Sequence, residues 1–122
     1  MASGNQKAVP DKARVESALQ MLAERLSRCR ALRKSSIVIR ASGAGGGEYC
    51  VECAPGGAKL ANTRPTAPPT IEVTGEARQI EALLHGQKDP RKLFLAGGLG
   101  VRGDLRYLSD LAVELGLLKK PL

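Results

Sequence analysis

Apolar residues near the start of the chain recur at helical spacing. Val15, Ala18, Leu19, Leu22, Leu26 and Cys29 stand at i, i+3, i+4, i+7, i+11 and i+14, which predicts one buried stripe on a helix opened by Pro10 or Asp11 and running to about Leu32. The period then falls to two. Ile37 and Ile39 predict a strand over 36–41, and the glycine tract 43–47 leads into a second strand over 48–54. Pro55, Gly56 and Gly57 turn the chain into a third strand over 58–63. Residues 64–69 hold three prolines and predict a crossover or rim loop, because proline cannot donate to a ladder in mid-sheet.

A fourth strand follows over 70–74, with Ile71 and Val73 inward and Gly75 as its end. A helix over 76–85 buries Ile80, Leu83 and Leu84 and stops at Gly86. Asp89 and Pro90 supply an N-cap and a first-turn proline for a short helix over 91–96 that turns Leu93, Phe94 and Leu95 inward. Residues 98–103 predict the last strand, and Asp104 caps the final helix. There Leu105, Leu108, Leu111, Ala112, Leu115 and Leu118 share one arc, while Val113 and Leu117 fall on the polar side. The order predicts an α+β domain: a five-stranded, mostly antiparallel sheet covered on one face by helices. A single domain over 11–118 is expected, with a flexible lead-in over 1–10 and a tail over 119–122.

Composition narrows the function. Hydrophobic residues make up 43% of 122 residues, enough for one core, but only Tyr49, Phe94 and Tyr107 are aromatic. The interior must therefore be aliphatic, and the stacking platforms of single-strand nucleic-acid binders are missing. No apolar run reaches the roughly 20 residues of a membrane span, and the polar start MASGNQK has no signal-peptide core, so a cytoplasmic protein is expected. The net charge of +7 is local: residues 1–40 hold nine Lys/Arg against three Asp/Glu. Arg25, Arg28, Arg30, Arg33 and Lys34 crowd the end of the first helix. Such a cluster suits a solvated helix terminus, where cations meet the negative end of the dipole. That reading comes first; contact with anionic lipid headgroups is the second, and nucleic acid is the one the aromatic count disfavours.

Several motifs lead nowhere. Gly98, Gly100 and Gly103 fit G-x-G-x-x-G, but a dinucleotide fold needs a further strand with an acidic residue about 20 positions on, and the sequence given stops at Leu122. Cys50 and Cys53 form C-x-x-C inside a predicted strand, where an i, i+3 pair points to opposite faces. With Cys29 as the third cysteine and His85 as the single histidine, neither a disulfide framework nor a metal site is expected. No triad and no pair of carboxylates is placed for acid–base work, so neither catalysis nor a cofactor is expected.

The chain resembles a known family over residues 70–118. A strand ending near Gly75, a helix closing on Leu83-Leu84-His85-Gly86, then Asp89-Pro90, Leu93-Phe94, Gly98, Val101, Gly103-Asp104 and an amphipathic last helix look like the C-terminal half of the sterol carrier protein type-2 domain. The resemblance implies a hydrophobic tunnel between sheet and helices for a fatty acyl chain, an acyl thioester, a sterol or an isoprenoid. Candidates for its lining are Ile37, Ile39, Val51, Ile71, Val73, Leu83, Leu93, Phe94, Leu99, Val101, Leu105, Leu108, Leu111, Ala112 and Leu115. The implied partner is a lipid ligand; the basic cluster adds transient contact with an anionic membrane surface, and the interaction reading adds a protein partner or second copy. Domains of this family also occur within enzymes. The alternative is a non-catalytic interaction module with a filled core, for example an accessory domain of isoprenoid-quinone biosynthesis, docking through Val113, Leu117 or the basic first helix.

Overall fold

The computed structural model describes residues 11–61 and 67–120. The expected lead-in over 1–10, the end of the predicted third strand and the start of the proline-rich loop lie outside the described residues. The elements run α1 (Lys12–Leu26), β1 (Ser35–Ser42), β2 (Gly47–Ala54), β3 (Gly57–Ala61), β4 (Ile71–Glu76), α2 (Ala77–Leu84), α3 (Pro90–Leu95), β5 (Leu99–Gly103) and α4 (Leu105–Glu114). The five strands form one sheet in the order β3-β2-β1-β4-β5. Pairing is antiparallel except between β1 and β4, which run parallel. The fold class is α+β, with a mixed sheet.

Strand alternation fixes which face the helices cover. The register places Ile37 beside Val51 and Ile71, Ile39 beside Tyr49 and Val73, and Val73 beside Val101. All of these, with Cys53, Leu60 and Leu99, belong to or pack against one hydrophobic cluster that includes Val15, Leu19 and Leu26 of α1. Residues one step out of phase turn away: Arg40 there pairs with Glu48 and Glu72, each at 2.9 Å, across three adjacent strands. Cys50 pairs in register with Val38, while Cys53 joins the helix-side cluster, so the two thiols point to opposite faces. All three cysteines are buried and unbonded, and burial pushes each thiol above its ordinary pKa.

Three helices start on an aspartate that accepts an otherwise unpaired first-turn amide: Asp11 from Arg14 at 2.8 Å, Asp89 from Arg91 at 2.9 Å and Asp104 from Tyr107 at 3.0 Å. The element ends depart further from expectation. The first helix stops at Leu26 and not near Leu32: the amides of Ser27, Arg28 and Cys29 still close on Ala23, Arg25 and Leu26, and beyond them tertiary partners take over. Glu114 accepts from the backbone of Arg30 and Ala31, both at 2.8 Å, and the Tyr107 hydroxyl accepts from Arg33 at 3.1 Å. Gly75 does not end β4 but lies within it, opposite Leu99, where an added Cβ would sit 3.0 Å from the Gly98 carbonyl oxygen. Leu95 is 83% exposed and does not turn inward as the short helix predicted.

The last helix is also shorter than its apolar arc suggests. It ends at Glu114 with Gly116 in the left-handed region, φ +81°. Leu117 then donates to Ala112 at 2.9 Å and Gly116 to Val113 at 3.1 Å, a Schellman ending that reverses the chain. Helical-wheel positions therefore do not apply to Leu117 and Leu118.

Candidate functional site

Beneath the helices, the covered face of the sheet splits into two halves. α1 lies over β3 and β2, and there the core is solid, with Val15 and Leu19 fully buried. Over β4 and β5 the chain leaves a cavity of about 360 Å³. Its floor is Val73, Leu99 and Val101 of the sheet. Leu83 of α2 and Phe94 of α3 form one side, Leu105, Leu108 and Ala112 of α4 the other, and Pro90, Arg91, Leu117 and Leu118 line the rest. Every lining residue except Arg91 is apolar.

Helix α4 is the partition between the halves. Tyr107, Leu111 and Leu115, spaced i, i+4 and i+8, belong to the solid cluster. Leu105, Leu108 and Ala112, spaced i, i+3 and i+7, face the cavity. At the cavity, Phe94 is 51% and Leu105 47% exposed, a large apolar exposure for two neighbouring elements.

The helix is held in place from the α1 side. Arg33 pairs with Asp104 at 2.7 Å and stacks 3.9 Å over the Tyr107 ring, whose hydroxyl lies 2.8 Å from Ser35 Oγ. Arg25 donates to the Leu115 carbonyl, one of the acceptors left over at a helix C-terminus. Backbone amides of Arg30 and Ala31 hold the Glu114 carboxyl below its ordinary pKa, and the Tyr107 amide with Arg33 does the same for Asp104. Of the basic cluster, Arg25 and Arg33 thus fasten α4, while Arg28, Arg30 and Lys34 have exposed side chains.

Of the fifteen lining candidates, the structure brings Val73, Leu83, Phe94, Leu99, Val101, Leu105, Leu108 and Ala112 around the cavity. Ile37, Ile39, Val51, Ile71, Leu111 and Leu115 lie in the solid cluster, and Leu93 packs partly buried against it. These seven do not line the cavity: the strand residues among them lie on the α1 side of the sheet face or, like Ile71, are fully covered, and the two α4 residues sit on the helix's other stripe.

Leu99–Gly103 form β5 instead of a phosphate-binding loop. At Gly103, with φ +107°, an added Cβ would lie 2.2 Å from the Thr70 carbonyl oxygen, which accepts from Asp104 at 2.9 Å. His85 lies 3.7 Å from Glu81, which also pairs with Arg14 at 3.0 Å and so ties α2 to α1. Among the described residues no group of three or more His, Cys, Asp or Glu could hold a metal ion, and no helix is long and apolar enough to cross a membrane.

The SCP-2 sterol transfer family matches residues 15–113. The chain belongs to this family. Solved structures share its fold at low sequence identity. A UbiJ-SCP2 ubiquinone synthesis protein is 16% identical with a TM-score of 0.60, covering 87% of this chain and 93% of that one. The apo form of sterol carrier protein 2 from Yarrowia lipolytica is 19% identical with a TM-score of 0.52, covering 88% and 86%. Palmitated SCP2L2 from Aedes aegypti is 15% identical with a TM-score of 0.61, covering 82% and 92%. No curated protein sequence matches the chain.

Within this SCP-2 fold, four cavity residues lay outside the candidate list: Pro90, Arg91, Leu117 and Leu118. The sequence did hold a signal for the last two. A glycine at 116, one turn after the expected helix interior, is a stop that folds the following leucines back over Ala112. Arg91 had none, since a cation in the first turn of a short helix reads as a solvated residue.

Proposed function

We propose that this protein is a small lipid-binding carrier that holds one alkyl or isoprenoid chain in the cavity between β4, β5, α3 and α4. The observation that carries the reading is a hollow of about 360 Å³ whose lining, Arg91 apart, is wholly apolar. Family membership and the fold shared with a palmitated relative support it. An apolar void of about 150 Å³ takes up a six-carbon benzene ring, so this one has room for roughly fourteen carbons. That suits a single fatty acyl or isoprenoid chain and is tight for a whole sterol. Burying about a dozen methylenes at about 0.8 kcal/mol each contributes about 10 kcal/mol gross, from which ordering and association costs are subtracted. Micromolar affinity follows, with little discrimination among chains, because an aliphatic wall offers few polar anchors.

No catalytic step is assigned. The single histidine and its glutamate serve the contact between helices, away from the cavity lining.

The test is native mass spectrometry of protein purified from cells, together with displacement of a fluorescent fatty acid. Co-purified lipid and saturable displacement are expected. Both Leu108→Arg and Leu117→Arg should abolish binding while Val113→Arg preserves it, since only the first two residues line the cavity. Ligand-free spectra combined with no uptake of the fluorescent probe would sink the carrier reading.

A further inference from the structure

The apolar cavity does not stand alone. A second hollow of about 500 Å³ adjoins it, lined by Gly86, Gln87, Lys88, Asp89, Gly116, Lys119 and Lys120 together with Pro90, Arg91, Leu117 and Leu118. The last four residues also line the first cavity, so the two spaces meet at the same side chains. Their chemistry is opposite. The second hollow carries Lys88, Arg91, Lys119 and Lys120 against the single carboxylate of Asp89, and that carboxylate is already engaged by the Arg91 amide at 2.9 Å.

None of the four cations is ion-paired among the described residues. Elsewhere three arginines are engaged: Arg25 and Arg33 fasten α4, and Arg40 bridges three strands. Four unpaired cations around one concavity repel each other and favour an anion that neutralises several at once. Arg91, which lines both hollows, stands where a hydrocarbon tail would meet a charged head, and its guanidinium can hold phosphate oxygens in bidentate fashion.

We infer that the ligand is a single-chain lipid ending in phosphate, its tail in the apolar cavity and its headgroup in the vestibule formed by Lys88, Arg91, Lys119 and Lys120. The inference rests on the carrier reading and adds the headgroup to it.

Calorimetric titration with dodecyl phosphate, dodecanoate and dodecanol, each below its micellar concentration, tests it. At low salt dodecyl phosphate should bind about tenfold or more tightly than dodecanol, the scale of a charge-assisted hydrogen bond, with dodecanoate between them. Added salt should narrow the gap. The variant combining Lys88→Gln, Lys119→Gln and Lys120→Gln, none of which lines the apolar cavity, should lose most of the phosphate advantage and bind all three within about threefold. Its unchanged uptake of dodecanol shows that it has folded.

Equal binding of dodecyl phosphate and dodecanol by the parent protein overturns the headgroup assignment. So does a phosphate advantage that survives beyond that margin in the variant, and dodecanoate matching dodecyl phosphate overturns the phosphate part. Dodecanol failing to bind the parent protein overturns the carrier reading itself, a distinct result.

Discussion

One sheet face carries two kinds of interior. Under α1, Val15, Leu19 and Leu26 share one cluster with Val51, with no exposure above 1%. Under α3 and α4, Val73 and Val101 stay partly exposed and Phe94 and Leu105 are half so, around an open hollow. The side chains are of the same aliphatic kind in both places. The covering elements differ: a fifteen-residue helix with a continuous buried stripe on one side, a six-residue helix with no buried residue on the other. Hydrophobic content therefore does not decide whether a core closes; the length and fastening of the element above it do.

Substitutions should separate the two halves. The largest effect is expected for Leu19→Ala, which opens a void in the solid half and should cost about 2–5 kcal/mol of stability by chemical denaturation, leaving probe affinity unchanged where the protein is still folded. Leu108→Arg should reverse that pattern, lowering probe affinity at least about tenfold, or about 1.4 kcal/mol, while the denaturation midpoint moves little. If Leu108→Arg unfolds the protein as Leu19→Ala does, the two halves are not distinct.

Ala112→Phe should be smaller still. Filling the cavity should reduce probe uptake severalfold while stability shifts by less than about 1 kcal/mol. The smallest effect concerns the fastening. The Glu114 carboxyl is held below its ordinary value of 4.5 and that of Asp104 below 3.8. A lowered folded pKa contributes stability that is present above the ordinary value and is lost as pH falls through the lowered one. The denaturation midpoint should therefore drop as pH falls below about 4.5, and Glu114→Gln should flatten that slope without altering neutral-pH probe affinity.

Much of the fold was legible because its signals are local. Asp11, Asp89 and Asp104 mark helix starts by side chains that cap their own next turn, and the two-residue period of Ile37 with Ile39 and of Ile71 with Val73 marks strands. Helix ends were less legible where distant residues set them. Nothing near Leu26 says that Glu114 will take the amides of Arg30 and Ala31, or Tyr107 that of Arg33. The cavity lining was half legible for a similar reason. Apolar identity places a residue inside, but Leu111 and Leu108 look alike in sequence, and only the pose of α4 sends one to the solid cluster and the other to the hollow.

The clasp of Arg33, Ser35 and Glu114 on α4 bears on how a guest could enter. A roof beam bolted along one edge makes a poor door. The only adjoining panel without a single fully sheltered side chain is α3, resting on β5. Amide hydrogens of residues 91–95 should accordingly exchange with deuterium faster than those of Leu105–Glu114, and a bound guest should slow the first set far more than the second.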